Sequence, residues 1–288
     1  MKLAAAPISW GVSEVPGWGE QVSVARVLGD AAALGFRAIE SGPPGFLPSD
    51  PSVLRGMLRR YGLTLVGGFV TAALHEPEHR DRELSRVRTQ ADWLAAGGAE
   101  VLVLAASIGE SGYEARRPLD ERGWRELLEG LERVRQIADP LGMTVALHPH
   151  VGTAIVRPED VERVLAESGI GLCLDSGHLF IGGVDPAELV SRFPSKIRHV
   201  HLKDVERSLA ERVRSGDTGY AAAVKSGLYR PLGSGDVGID GVLDQLARSG
   251  FDGWYVLEQD VALDPDSAAR GSFPWIAESL RYLSSRVA

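Results

Sequence analysis

The sequence predicts an α/β protein, a single (β/α)8 TIM barrel running as one domain over residues 1–288. Three observations predict it. Strand-like and helix-like patterns alternate eight times, and eight βα units in a row favour a closed barrel over an open sheet. Several helices hand over through one device, a glycine followed by an apolar residue: Leu34-Gly35-Phe36, Tyr61-Gly62-Leu63, Leu141-Gly142-Met143, Ser168-Gly169-Ile170 and Ser249-Gly250-Phe251. A glycine in the left-handed region is expected to stop each of these helices. Finally, the first strand leads into Trp10-Gly11-Val12-Ser13-Glu14. That segment lacks the glycine-rich phosphate loop a doubly wound sheet usually carries there.

The elements follow in order. Leu3 to Trp10 is the first strand, with a helix near Gln21 to Leu34. Phe36 to Glu40 is the second strand. Pro51 to Tyr61 is its helix, with Asp50 placed to accept from the first free amides as an N-cap. Leu63 to Val70 is the third strand, followed by an amphipathic helix from Arg80 to Ala96 that Gly97-Gly98 ends. Val101 to Ala105 and Asp120 to Ala138 form the fourth unit. Thr144 to Pro149 is the fifth strand, and Pro158 to Glu167 its helix, with proline in the first turn where no amide partner is needed. Ile170 to Asp175 and Pro186 to Arg192 make the sixth unit, and Ile197 to Lys203 is the seventh strand. The long segment 206–238 reads as a lid-like insertion, helical in part over Leu209 to Lys225. Ile239 to Ser249, the strand Trp254 to Glu258 and a helix from Ala268 to Arg286 complete the count.

Composition narrows the function. The chain is 44% apolar, has a formal charge of -8 and a pI of about 5.4. An acidic chain with interspersed arginines is a poor partner for nucleic acid or an anionic membrane. Cys173 is the one cysteine, so neither an internal disulfide nor a cysteine-based zinc cluster can form, and a packing role is expected for it. No apolar run is long enough to span a membrane, and the N-terminus does not read as a signal peptide. A cytoplasmic location is expected.

Chemistry gathers at the ends of the second-half strands. The fifth ends in Ala146-Leu147-His148-Pro149-His150, the sixth in Leu172-Cys173-Leu174-Asp175, the seventh in His199-Val200-His201-Leu202-Lys203, and the eighth in Tyr255-Val256-Leu257-Glu258. Side chains alternate along a strand. If Leu147, Leu172, Leu174, Val200, Leu202 and Leu257 face the helices, then His148, Asp175, His201, Lys203 and Glu258 all face inward at the top, joined by Glu40 from the second strand. Imidazoles and carboxylates suit a borderline divalent cation. The expected ligands of one metal ion are therefore His148, Asp175, His201 and Glu258. The competing role for each is a hydrogen-bonded buried polar network. His199 falls a layer deeper and is expected to support its neighbours. His178 is expected to contact substrate, and His75 and His79 to lie at the surface.

Further motifs carry a family resemblance. Leu174-Asp175-Ser176-Gly177-His178 and His199-Val200-His201-Leu202-Lys203-Asp204 resemble the xylose isomerase-like superfamily of sugar isomerases and epimerases, and more narrowly inosose dehydratases and their relatives. Ala6-Pro7-Ile8-Ser9-Trp10, His148-Pro149-His150-Val151-Gly152-Thr153, Pro231-Leu232-Gly233-Ser234-Gly235 and Gly253-Trp254-Tyr255-Val256-Leu257-Glu258-Gln259-Asp260 extend the likeness over essentially the whole chain. The resemblance implies one divalent ion, Mn²⁺ or Co²⁺ foremost, with Mg²⁺ and Zn²⁺ as alternatives. The isomerases and epimerases have glutamates ending the fifth and eighth strands. This chain keeps Glu258 but carries His148 in the other position, as the dehydratases do.

A metal gripping a ketone and its neighbouring hydroxyl lowers the cost of an enediolate, and a base must take the proton beside the carbonyl. The expected reaction is dehydration of a keto-polyol such as a ketoinositol by a metal-dependent lyase. Isomerisation or epimerisation of a ketose or inosose is the alternative, and a sugar- or metal-binding barrel without turnover the third. Glu258 and His150 are the candidate bases. Lys203 is a candidate for neutralising charge, its competing role being an ion pair with Asp204 or Glu40. Glu40 and Glu14 are candidate hydroxyl acceptors, and Trp10 a candidate apolar wall with core packing as its competing role. The expected partner is a small polyol or ketose; subunit number is left open, with a homo-oligomer compatible.

Overall fold

The computed structural model describes residues 1–110, 113–270 and 273–286. Its strands are β1 (Lys2–Ala5), β2 (Ala38–Ile39), β3 (Thr64–Leu65), β4 (Gly67–Ala72), β5 (Val101–Ala106), β6 (Thr144–Leu147), β7 (Gly171–Asp175), β8 (Ile197–Leu202), β9 (Asp204–Val205), β10 (Tyr229–Arg230) and β11 (Trp254–Leu257). Nine of them form one parallel sheet in the order β3-β2-β1-β11-β8-β7-β6-β5-β4. Its two outer members, β3 and β4, are consecutive halves of one strand. The lower half pairs with β2, as Ala38↔Thr64 and Ile39↔Leu65. The upper half pairs with β5 over six residues. Val66 between them donates to the Ile39 carbonyl and accepts from the Val101 amide, so the kinked strand closes the sheet into an eight-staved barrel.

The helices are α1 (Val24–Ala33), α2 (Pro51–Arg60), α3 (Pro77–Gly97), α4 (Glu121–Ala138), α5 (Pro158–Glu167), α6 (Ser176–Gly182), α7 (Pro186–Arg192), α8 (Arg207–Ser215), α9 (Tyr220–Lys225), α10 (Ile239–Arg248), α11 (Pro265–Arg270) and α12 (Pro274–Ser284). Local chemistry sets their ends. The Asp50 carboxylate accepts from the Ser52 and Val53 amides, and Asp120 from the Gly123 amide. Gly98, at φ 97°, stops α3. Gly35, Gly62, Gly142 and Gly250 take the expected positive φ. Gly169 does not: α5 ends at Ser168 in extended backbone, whose hydroxyl donates back to the Val164 carbonyl. The predicted helix over Ala268 to Arg286 is two helices, and residues 271 and 272 between them lie outside the described residues. Pro274 begins the second, and a proline pushes its predecessor out of helical backbone; Phe273 sits at φ −121°, ψ 67°. Helix α6 was not expected, since two residues of Ser176-Gly177-His178 favour turns. Asp175 starts it by accepting from the His178 amide.

The inward–outward alternation holds. Small inner clusters fill the barrel: Ala4, Ala6, Ala38, Val66 and Val256 form one, and Val101, Val103, Ala146 and Cys173 another. The larger apolar body lies between strands and helices and takes Leu147, Leu172, Leu174, Val200, Leu202 and Leu257. Insertion residues 206–238 contain α8 and α9 and return through β10, which pairs antiparallel with β9. Asp204 anchors the return, its carboxylate accepting from the amides of Val205, Gly233, Gly235 and Val237. Among the described residues no helix is long and apolar enough to cross a membrane.

Candidate active site

Strand ends of the second half meet over these inner clusters. Asp175 closes β7 and uses its two oxygens differently. Oδ1 caps α6; Oδ2 lies 3.2 Å from His148 Nε2, 3.6 Å from His201 Nδ1 and 3.2 Å from Lys203 Nζ. Glu258, one residue past β11, puts Oε2 3.0 Å from His201 Nδ1 and 2.9 Å from Lys203 Nζ. All five side chains are at most 8% exposed. They line the floor of a cleft of about 1080 Å³, counting its open mouth, to which His148, His201, Lys203 and Glu258 contribute directly.

The electrostatics follow from crowding opposite charges where water is excluded. Burial opposes the charge on Asp175, yet Lys203 and the surrounding histidines hold its carboxyl well below the usual range. Glu258 is likewise lowered against burial, by His201 and Lys203. Burial opposes the Lys203 ammonium too, but Asp175, Asp260 and Glu258 outweigh it and raise its pKa well above the ordinary value. His150 goes the other way: burial, with His148 and Lys203 nearby, pushes it well below the ordinary value, so it is neutral near neutral pH.

Whether a cation fits is testable on this geometry. Four ligands at about 2.1 Å from a tetrahedral ion are about 3.4 Å apart. The separations of His148 from Asp175, His201 from Asp175 and His201 from Glu258 are 3.2, 3.6 and 3.0 Å. Asp175 Oδ2 and His201 Nδ1 are buried without a hydrogen-bond partner. Asp175, His201 and Glu258 offer ligand atoms all within 4.8 Å of one another; His148 groups equally closely with His201 and Cys173. The donor set fits a divalent ion of the zinc or manganese kind.

The other expected residues fall into distinct places. Glu40 lines the cleft, but its Oε1 accepts from His199 Nε2 at 2.7 Å and His201 Nε2 at 3.1 Å. His199 lies in the deeper layer, as expected. Lys203 pairs with Asp175, Glu258 and Asp260, not with Asp204 or Glu40. His150 lines the cleft, and its Nδ1 donates to the Val151 carbonyl at 2.6 Å. His178 is fully buried, its ring centroid 3.7 Å from that of His150. Its Nδ1 accepts from the Val151 amide, so it backs His150 instead of facing the cleft. Glu14 lies at the rim and accepts from the Tyr113 hydroxyl at 2.5 Å. Trp10 is not a cleft wall: its fully buried indole donates to Asp30 and meets the edge of Phe273, a packing role. His79 is half exposed, but His75 is buried beneath the β4–α3 turn, contrary to the surface expectation.

Sequence reasoning missed Asp260, Tyr220 and Tyr229. Asp260 lines the cleft and holds Lys203 Nζ at 3.1 Å, while Tyr220 on α9 donates to its other oxygen at 2.8 Å. The Tyr229 hydroxyl lies 2.9 Å from that of Tyr220. Two-residue alternation beyond Glu258 would have pointed to Asp260. Nothing local marks the tyrosines, because the insertion's path brings them in.

Comparison with known proteins agrees with this architecture. A family model described as a xylose isomerase-like TIM barrel matches residues 28–283. The inosose dehydratase of Geobacillus kaustophilus is 30% identical over 270 residues, covering 90% of this chain and 87% of the relative. The inosose dehydratase of Erwinia tasmaniensis is 31% identical over 294 residues, covering 98% and 96%. Among solved structures, the IolI protein with a bound zinc atom aligns with a TM-score of 0.74 at 17% identity, over 98% of this chain and 96% of its own.

Proposed function

We propose that this chain, which belongs to the xylose isomerase-like TIM-barrel family, is a metal-dependent lyase that removes water from a keto-polyol of the inosose class. Its curated relatives named inosose dehydratase support the substrate class. The observation that carries the reading is the convergence of Asp175, His201 and Glu258 on one point of the cleft floor, with His148 beside them. These four residues would hold the ion. When bound, it supplies Lewis-acid polarisation of the substrate carbonyl and its neighbouring hydroxyl.

The chain's own residues supply the rest. With its Nδ1 proton given to the Val151 carbonyl, neutral His150 presents Nε2 as an unprotonated nitrogen. It is the base that takes the proton from the carbon beside the carbonyl. Glu258 is less suited, because His201 and Lys203 hold its carboxylate stable. The electron pair left on carbon expels the β-hydroxyl, and the imidazolium formed on His150 returns its proton to that departing group, which leaves as water. Lys203, kept charged by three carboxylates, is a poor acid. Its role is to offset negative charge developing on substrate oxygen. Residues 206–238 act as the lid, Tyr220 reaching Asp260 at the cleft wall.

The test is incubation of Mn²⁺- or Co²⁺-loaded protein with 2-keto-myo-inositol, followed by mass spectrometry. Loss of one water, with the absorbance of an unsaturated diketone, is expected. Exchange of substrate hydrogen for solvent deuterium without water loss would instead indicate epimerisation.

A further inference from the structure

We infer that Glu40, read from the sequence as a substrate acceptor, is a positioning residue that fixes the tautomer of His201 and so leaves its Nδ1 free for the cation. The inference rests on the metal-site reading above.

A carboxylate can only accept hydrogen bonds. Glu40 is buried, and its Oε1 lies 3.1 Å from His201 Nε2 and 2.7 Å from His199 Nε2. Both rings must therefore carry a hydrogen on Nε2. To ligate, His201 must give up its other hydrogen, and its lone pair is then on Nδ1. That atom points toward Glu258 Oε2 at 3.0 Å and Asp175 Oδ2 at 3.6 Å. Lys203 Nζ offsets the two carboxylates, at 3.2 Å from Asp175 Oδ2 and 2.9 Å from Glu258 Oε2, but His201 Nδ1 has no hydrogen-bond partner, and a divalent cation between the three atoms would use its lone pair. With the hydrogen on Nδ1 instead, the ring could donate to Glu258 and would be lost as a ligand. Metal-bound histidines commonly donate their second nitrogen to a carboxylate, which sets tautomer and ring orientation together.

His199 completes the device from one layer below. Its bond to the same oxygen holds the Glu40 carboxylate in place. Gly67, at the start of β4, lies beside it: a side chain there would begin 2.9 Å from the Val101 carbonyl oxygen and in ordinary contact, 3.6 Å, with Glu40 Oε1. Glu40, one residue past β2, lines the cleft, and its hydrogen bonds among the described residues are to His199 Nε2 and His201 Nε2.

The test compares zinc affinity, by competition with a chromophoric chelator, in the wild type, Glu40→Gln and Glu40→Asp. Glutamine has the same shape, but its carbonyl is a weaker acceptor and its amide nitrogen accepts nothing. We expect Glu40→Gln to weaken zinc binding 10–100-fold, the usual effect of losing such a partner, and Glu40→Asp to recover part of the loss. Nitrogen-15 shifts of zinc-loaded, histidine-labelled wild type give a readout independent of how any variant folds: His201 should carry its hydrogen on Nε2 and coordinate through Nδ1. Wild-type zinc affinity in Glu40→Gln, or a hydrogen on His201 Nδ1, overturns the role of Glu40 and leaves the metal site standing. A wild type that binds no divalent ion overturns both.

Discussion

His150 and Glu258 share one cleft, but their surroundings give them different chemistry. A buried imidazole whose Nδ1 is committed to a backbone carbonyl is a neutral acceptor at Nε2. A carboxylate held by His201 and Lys203 is a stable anion suited to ligation. Glu258→Gln and Asp175→Asn are accordingly expected to lose bound metal while the far-ultraviolet spectrum of the barrel is kept; full occupancy by elemental analysis in both would remove these residues from the ligand set. His150→Gln is expected to keep its metal and lose roughly 10²–10⁴-fold in kcat, the usual contribution of a general base. An unchanged kcat would transfer that role to another group. At this scale strand parity read from the sequence separated inward from outward residues. Parity gave direction but not partner: Lys203 pairs with Asp175, Glu258 and Asp260, not with the Asp204 or Glu40 of its competing role, and Glu40 meets His199 and His201. A partner depends on how two distant strands align, which neither strand encodes alone.

Elements transmit these placements through their ends. Asp175 ends β7 and starts α6, so one side chain orders a helix and offers an oxygen to the site. In the second turn of α3, Glu83 accepts from the Ala73 amide and from Arg86, tying the helix to the turn that follows β4. Burial works against the Glu83 carboxylate, but Arg86 and the Ala73 amide hold its pKa below the ordinary 4.5. The unfolded chain therefore takes up this proton at a higher pH than the folded chain. The contribution is fully present above the unfolded value and is lost as pH falls through the folded one. Urea unfolding between about pH 5 and pH 3 should show a shallower loss of stability in Glu83→Gln than in the wild type. Parallel slopes would mean that Glu83 titrates alike in both states. Helix starts at Pro158 and Pro186 were legible because Pro and Asp act locally. The break before Pro274 and helix α6 were missed although their signals are also local: Pro274 forces Phe273 out of helical backbone, and Asp175 caps a turn whose Ser176 and Gly177 disfavour a helix.

Across the whole molecule, stability comes from the layer between strands and helices more than from the barrel's narrow interior, where small residues predominate. Leu127 on α4 is fully buried in that layer. Leu127→Ala is expected to cost about 2–5 kcal/mol, measured by urea denaturation, with the metal-binding residues undisturbed. A loss well below that range would mean that the helix relaxes into the space. Alternation of βα patterns, the punctuation of helix ends and the inward face of each strand were determined by the sequence itself, because each arises from neighbours a few residues apart. Closure of β3 onto β4, the shared oxygen of Glu40, the shielding of His178 behind His150 and the arrival of Tyr220 over Asp260 were decided by tertiary structure. Each joins residues remote along the chain, and sheet register and the path of the insertion, neither visible in a single segment, set their distances.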